Sequence, residues 1–413
     1  MWRRYGDAFY TLLTLAVFGF ETIALGALSL SFLLGKATGI ASTPVEGILL
    51  GVVISTASAL ALLGLYLLSY HFVSNLRDRW QAEHLDKWTE WWIGLALTGP
   101  GEPAGHAPDR RRLPRVAVDS VLSLLEAVKG EEGDRLKEAL AGHGVDRWFL
   151  RRARAGHLTA RLDAIEGLGK ARLPHALDPL LGLFHHARPV VRRMAARAAA
   201  GTLAIMAPEP GPDGPHARFI DAIKQADLQP GVVQESLLLL ETRAGPILRE
   251  LLADPELSDS LRWVALETIG RLGLADMAEL AAASGTHPDP ELRAATFRCL
   301  RRLGSVPEAA QAPLLGAVDD EVDFVRVQAA HAAAFVEPEA ALAALEPRLE
   351  DSSWWVRRAA AASMARLGEL GVASVRRAAE SHPEKAAREM AVQILLEADV
   401  LTPAAARLAT GVA

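Results

Sequence analysis

The chain has 413 residues, half of them apolar, a formal net charge of −6 and a single cysteine, Cys299. That length exceeds what one hydrophobic core organises, so more than one structural region is expected. The acidic balance argues against a general nucleic-acid binder, which needs a basic stripe to displace counterions, and one cysteine excludes an internal disulfide framework.

Charged side chains are sparse from residue 8 to residue 70 and frequent afterwards. Two apolar runs, residues 8–34 and 47–70, are each long enough to cross a hydrocarbon core of roughly 30 Å at about 1.5 Å per residue. The connection GKATGIASTPVEG is short and rich in breakers, so residues 1–72 are expected to form a transmembrane hairpin. Arg3 and Arg4 precede the first run and Arg77, Arg79 and Lys87 follow the second, whereas the turn holds only Lys36. By the positive-inside rule, both termini and everything downstream face the cytoplasm at an inner membrane. Gly47, Gly51, Ser55 and Ala59 recur every four residues, a ridge of small side chains that packs either on the first span or on a partner's helix. Glu21 falls at mid-depth of the first span. It either hydrogen-bonds, protonated, to Thr56 or Ser58, or pairs with a polar group on a partner's span.

Residues 73–98 continue the helical pattern. Trp80, Trp88 and Trp92 lie on one stripe, widened by Trp91, with charged side chains opposite. A Trp-rich amphipathic helix beside a span suits the headgroup layer of the inner leaflet; packing on the first repeat is the alternative. Residues 99–114, GPGEPAGHAPDRRRLP, read as a flexible linker whose arginines are either solvated or in contact with anionic lipid. Residues 115–156 contain helical stretches without a fixed period, as expected of an N-terminal cap that seals a stack.

From residue 157 to residue 413 the pattern repeats. An apolar residue followed by Arg or Gln opens an Ala-rich helix at Arg161, Arg192, Gln234, Arg262, Arg293, Arg326, Arg357 and Arg388, in steps of 31, 42, 28, 31, 33, 31 and 31. Such a period is the signature of a helical solenoid, whose units leave one face unburied until neighbours stack on it. Each unit has a first helix, a turn containing Asp or Pro such as DDEVDF, LEDSSW or HPDPE, and a second helix ending near Leu-Gly. Asp and Ser are expected to cap the second helix and Gly to end it. Cys299, within FRCLRRLG, reads as a buried core thiol. The 42-residue step holds an insertion, APEPGPDGPHA, read as a surface loop.

These units resemble HEAT repeats of the short bacterial type, a group that includes the repeats first noted in phycobilisome lyases. The resemblance rests on an acidic turn residue followed six positions later by an Arg in the second helix: Asp320 with Arg326, Asp351 with Arg357, and Glu256 with Arg262. It implies a ladder of bonds tying neighbouring repeats, to which Arg293 also belongs. His186, His287, His382 and Leu228 occupy the acidic column in four other units, where the ladder is in doubt. The fold class expected is all-α: a two-helix transmembrane hairpin followed by an α-solenoid of about seven to eight HEAT-like repeats.

The sequence holds no Gly-rich phosphate loop, HExxH motif or nucleophile elbow, so no catalytic, cofactor-binding or metal-ligating residue is assigned. The expected function is a membrane-anchored scaffold whose partners are proteins, including a membrane protein, and not small molecules or nucleic acid, with membrane lipid at its anchor. Phe324, Trp354 and Trp355, beside second-helix starts, are candidate partner contacts. A membrane enzyme complex such as a polysaccharide-synthesising glycosyltransferase fits that arrangement. The alternatives are a bilin lyase-like enzyme, which the resemblance suggests, and a nucleic-acid-binding protein using Arg151, Arg152, Arg154, Arg192 and Arg193.

Overall fold

The computed structural model describes residues 44–98 and 115–398, apart from 210 and 212; every described regular element is a helix. The chain divides into two compact units, residues 1–121 and 122–413.

In the first unit, α1 (Pro44–Thr98) is one helix of 55 residues. Leu60, Leu65, Leu68 and Phe72 are exposed along it. Among the described residues, no helix is long and apolar enough to cross a membrane. This finding overturns the expected multi-pass placement in an inner membrane with both termini cytoplasmic. Ser69, Tyr70 and His71 interrupt the apolar run of α1, and the helix continues without a break into charged residues. The first apolar run and Glu21 lie outside the described residues, as do the side chains of Gly47, Gly51, Ser55, Ala59 and Trp80. At the far end of α1, Trp88, Trp91 and Trp92 are buried, which corrects the placement of this segment in a lipid headgroup layer. The Trp92 indole N–H donates to the Ala117 carbonyl at 3.0 Å, a buried bond that fixes the ring in a protein environment.

In the second unit, α3 (Glu131–Gly142) precedes an array of helix pairs; α2 (Arg115–Ala127) straddles the boundary between the units. The second helices of the pairs are α5 (Leu158–Ala171), α7 (Pro189–Leu203), α9 (Pro230–Leu238), α11 (Asp259–Leu272), α13 (Pro290–Leu303), α15 (Asp323–Ala332), α17 (Trp354–Ala365) and α19 (Lys385–Glu397). The first helices include α4 (Val145–Ala155), α6 (Leu177–Leu181), α8 (Pro215–Gln225) and α10 (Gly245–Ala253). They continue with α12 (Ala278–Ala282), α14 (Glu308–Gly316), α16 (Pro338–Leu345) and α18 (Gly368–Ser381). Several of them begin or end in short 3-10 turns.

Small side chains let the second helices approach one another closely. A Cβ at Gly270 would stand 3.1 Å from the Cys299 Cα, and one at Gly169 would stand 3.0 Å from the Ala198 Cβ. Second helices therefore pack more tightly together than first helices do, which places them on the shorter side of the stack. Ala294, Ala295, Ala329, Ala330, Ala359 and Ala360 are all buried between them. Larger residues such as Phe184, Phe219, Leu314 and Leu345 fill the space between the two layers, each such side chain contributing about 1.5–3 kcal/mol through burial. Gly273 and Gly304 end α11 and α13 with φ of 67°, a left-handed conformation in which any Cβ is strained. Cys299 is buried.

Candidate functional site

The arginine at the start of a second helix has two tasks in α13 and α15, and only the first of them in α17. Within its own repeat it donates to the turn carbonyls, as Arg326 does to Asp320 at 2.8 Å and Arg357 to Asp351 at 2.7 Å. Towards the next repeat it reaches a carboxylate: Arg293 Nε and Nη2 bond Asp320 at 2.8 and 2.9 Å, and Arg326 Nε and Nη2 bond Asp351 at 2.9 and 3.1 Å. The side-chain partner of Asp320 is thus Arg293, not Arg326 six residues on. Each carboxylate also caps its turn, Asp320 accepting from the Val322 N–H and Asp351 from the Ser353 N–H. This Asx geometry replaces the expected Ser cap: Ser258 and Ser353 make no side-chain cap bond, and Asp289 does, to Glu291 N at 2.9 Å.

Burial pushes Asp320 and Asp351 up, yet both carboxyls are held below their ordinary range because the arginine and turn N–H bonds outweigh that cost. In the α11 repeat the turn carboxylate is Asp254 rather than Glu256. Asp254 caps the Glu256 N–H and pairs with Lys224 at 2.7 Å, while Arg262 donates to its carbonyl.

Histidine serves as a partial substitute for aspartate. His186, His287 and His382 each set Nδ1 3.1 Å from the backbone N two residues on. A neutral ring that accepts at Nδ1 carries its proton on Nε2. In His287 and His382 that nitrogen faces Asp259 and Glu350, each at 3.6 Å. In His186 it lies 2.8 Å from Arg161 Nη1, which can only donate, so the neutral ring accepts either from Arg161 at Nε2 or from the Arg188 N–H at Nδ1, not from both. Burial, followed by Arg161, Arg188 and Arg192, lowers the pKa of His186, so the ring stays neutral among these cations. The Arg357 Nε, whose counterparts bond Asp320 and Asp351, is buried with no partner. Among the described residues no group of three His, Cys, Asp or Glu could hold a metal ion.

The surface of the second-helix layer carries a different pattern. On α17 and its C-cap, Trp354, Arg358, Ala362 and Arg366 follow one another at four-residue intervals and so share a face. Phe324, Trp354 and Trp355 are 38%, 40% and 65% exposed, and the two indoles meet edge to face at 4.7 Å. Arg358 lies 5.6 Å from the Trp354 ring and pairs with Glu397 at 2.8 Å. Arg366 lies 5.3 Å from the Phe335 ring. On α13, Arg298 and Arg302 converge on the buried carboxylate of Glu267. Sequence reading named Phe324, Trp354 and Trp355 but missed the arginines of this face, because they come from neighbouring repeats and share no motif.

An all-helical array of stacked helix pairs with a ladder between them defines an α-solenoid. The HEAT-repeat family pattern matches residues 277–365, the segment that includes Arg293, Asp320, Arg326 and Asp351. No curated protein sequence matches the chain. An engineered protein is 17% identical, with 79% of this chain and 91% of that one covered and a TM-score of 0.35. The karyopherin Kap121p bound to the extreme C-terminus of the protein phosphatase Cdc14p is 11% identical over 76% of this chain and 46% of its own, at 0.36. A designed armadillo repeat protein is 18% identical over 54% and 99%, at 0.28. These likenesses concern the fold alone.

Proposed function

We propose that the chain is a non-enzymatic scaffold that holds a protein partner on the second-helix face of its solenoid. The observation that carries this reading is the exposed aromatic edge of Phe324, Trp354 and Trp355. Burying an exposed Trp is worth several kcal/mol less the cost of ordering it, and aromatic residues dominate binding hot spots. The ladder supports the same reading from another direction, since it holds successive repeats in register and so keeps the face pre-organised. A glycosyltransferase as partner depended on membrane anchoring and is not carried forward.

The test compares full-length protein with a Phe324→Ala, Trp354→Ala, Trp355→Ala variant by affinity purification and quantitative mass spectrometry, with circular dichroism confirming that both fold. A protein recovered with the native chain and at least tenfold depleted from the variant is the expected result. Equal recovery from both removes the aromatic edge from the reading, and a chain that retains no protein at all overturns it.

A further inference from the structure

The second-helix face carries more positive charge than its own carboxylates neutralise. Arg298 and Arg302 share Glu267, and Arg358 has Glu397. Arg301 and Arg366 remain, and among the described residues neither has an ion pair. Arg301 is half-buried beside Arg302, Arg298 and Arg366, and burial together with these like charges lowers its pKa; the one carboxylate acting on it is Glu267, already committed to two arginines. His331 lies between these helices on α15, and its imidazole is pushed down to about 4 by burial and by Arg301, Arg366 and Arg358. The ends of the three helices meet at one ring: Phe335, just past α15, lies 3.6 Å from where a Cβ on Gly304 at the end of α13 would stand and 5.3 Å from the Arg366 guanidinium at the end of α17.

From this placement we propose that Arg301, His331 and Arg366 form the receptor for a carboxylate of an acidic peptide segment, with the neighbouring aromatic edge taking an apolar residue of the same segment. The proposal rests on the scaffold reading above and names the chemistry of its partner. An arginine stacked on an aromatic ring keeps its N–H edge free for a carboxylate, and Arg366 over Phe335 has that arrangement. The neutral imidazole of His331 adds a donor without adding to the repulsion. A continuous polyanion such as nucleic acid is a poor fit, because Arg298, Arg302 and Arg358 are already paired with carboxylates and two free arginines displace few counterions. The aromatic edge lies about three turns from Arg366 along α17, about 16–18 Å at 1.5 Å per residue, which an extended peptide spans in roughly five residues.

The probe is a fluorescein-labelled octapeptide combining glutamates with a central Leu-Phe pair, titrated against the full chain by fluorescence anisotropy. Its lysine counterpart and a single-stranded oligonucleotide serve as comparisons. Binding of the glutamate peptide is expected to weaken with rising salt, and to weaken at least tenfold in Arg301→Glu, Arg366→Glu. Arg249→Ala, on a first helix, is expected to leave it unchanged. Thermal unfolding of each variant is recorded, and Arg301→Gln, Arg366→Gln replaces the charge-reversed pair if that pair fails to fold. Absence of binding, equal binding of the lysine peptide, tighter binding of the oligonucleotide, or affinity unaffected by the arginine substitutions each overturns the proposal. A partner depleted by the aromatic substitutions but indifferent to the arginines overturns this site while leaving the scaffold reading in place.

Discussion

Replacing His382 with aspartate is expected to stabilise the solenoid by completing a rung that the native sequence leaves open. Position 382 follows Arg357 by 25 residues, the separation of Asp351 from Arg326. His382 already accepts the Glu384 N–H as Asp351 accepts the Ser353 N–H, so a carboxylate at 382 keeps the turn bond and faces the orphaned Arg357 Nε. The existing rungs indicate the sign: Asp351 ionises more readily than a free aspartate despite its burial, which means the arginine repays the desolvation. A hydrogen bond to a charged group contributes about 1.5–3 kcal/mol net, and leaving a buried donor unsatisfied costs about 1–3 kcal/mol. Repulsion from Glu350, which lies 3.6 Å from the His382 ring, subtracts part of that gain. The expected balance is about 1–2 kcal/mol of added stability at pH 7. Urea unfolding followed by far-ultraviolet circular dichroism measures it, and hydrogen exchange should show added protection in α17 and α19. A double-mutant cycle with Arg357→Gln isolates the pair. A coupling energy near zero, or a variant less stable than the native chain, would refute the reasoning.

Removing a rung should have the opposite effect. Asp351→Ala leaves Arg326 half-enclosed without its carboxylate and is expected to cost about 3 kcal/mol, read as an earlier urea midpoint. Because Asp320 and Asp351 have lowered folded-state pKa values, their contribution is complete above the ordinary carboxylate range and is lost as pH falls through the lowered values; acid titration of the native chain should show this loss, and Asp351→Asn should reduce it. His331 acts over a different window. Its folded-state pKa of about 4 lies below the ordinary 6.5, so stability is full above pH 6.5 and declines as pH falls towards 4, by a total of about 3 kcal/mol at 1.36 kcal/mol per unit. His331→Gln should flatten that slope, and an unchanged slope would place the titration elsewhere. Burial pushes the Cys299 thiol up to about 12, so a thiol reagent at pH 8 should label it only at the rate of unfolding, which stopped-flow denaturation checks independently.

The relation between sequence and structure differs from feature to feature. The apolar–Arg pairs marked the second helices because a helix-opening signal recurs whenever the same unit is built again, and the Leu-Gly endings marked Gly273 and Gly304 because only glycine is unstrained there. The burial of Cys299 followed from its apolar neighbours. Membrane placement did not follow from hydropathy along residues 47–70. The apolar run belongs to a longer helix whose tryptophans at its far end are buried in protein, a fact that no window of that length contains.

By itself, then, the sequence determined the repeat, the helix pairing and the positions of the ladder arginines, since these depend on local signals at a fixed period. Which carboxylate each arginine grips was decided by tertiary structure alone. Asp320 lies six residues before Arg326 in the chain, but it is the offset between stacked repeats that brings its oxygens to Arg293. The same holds for the cluster of Arg301, His331 and Arg366, whose members share no motif and meet because three successive second helices pack side by side.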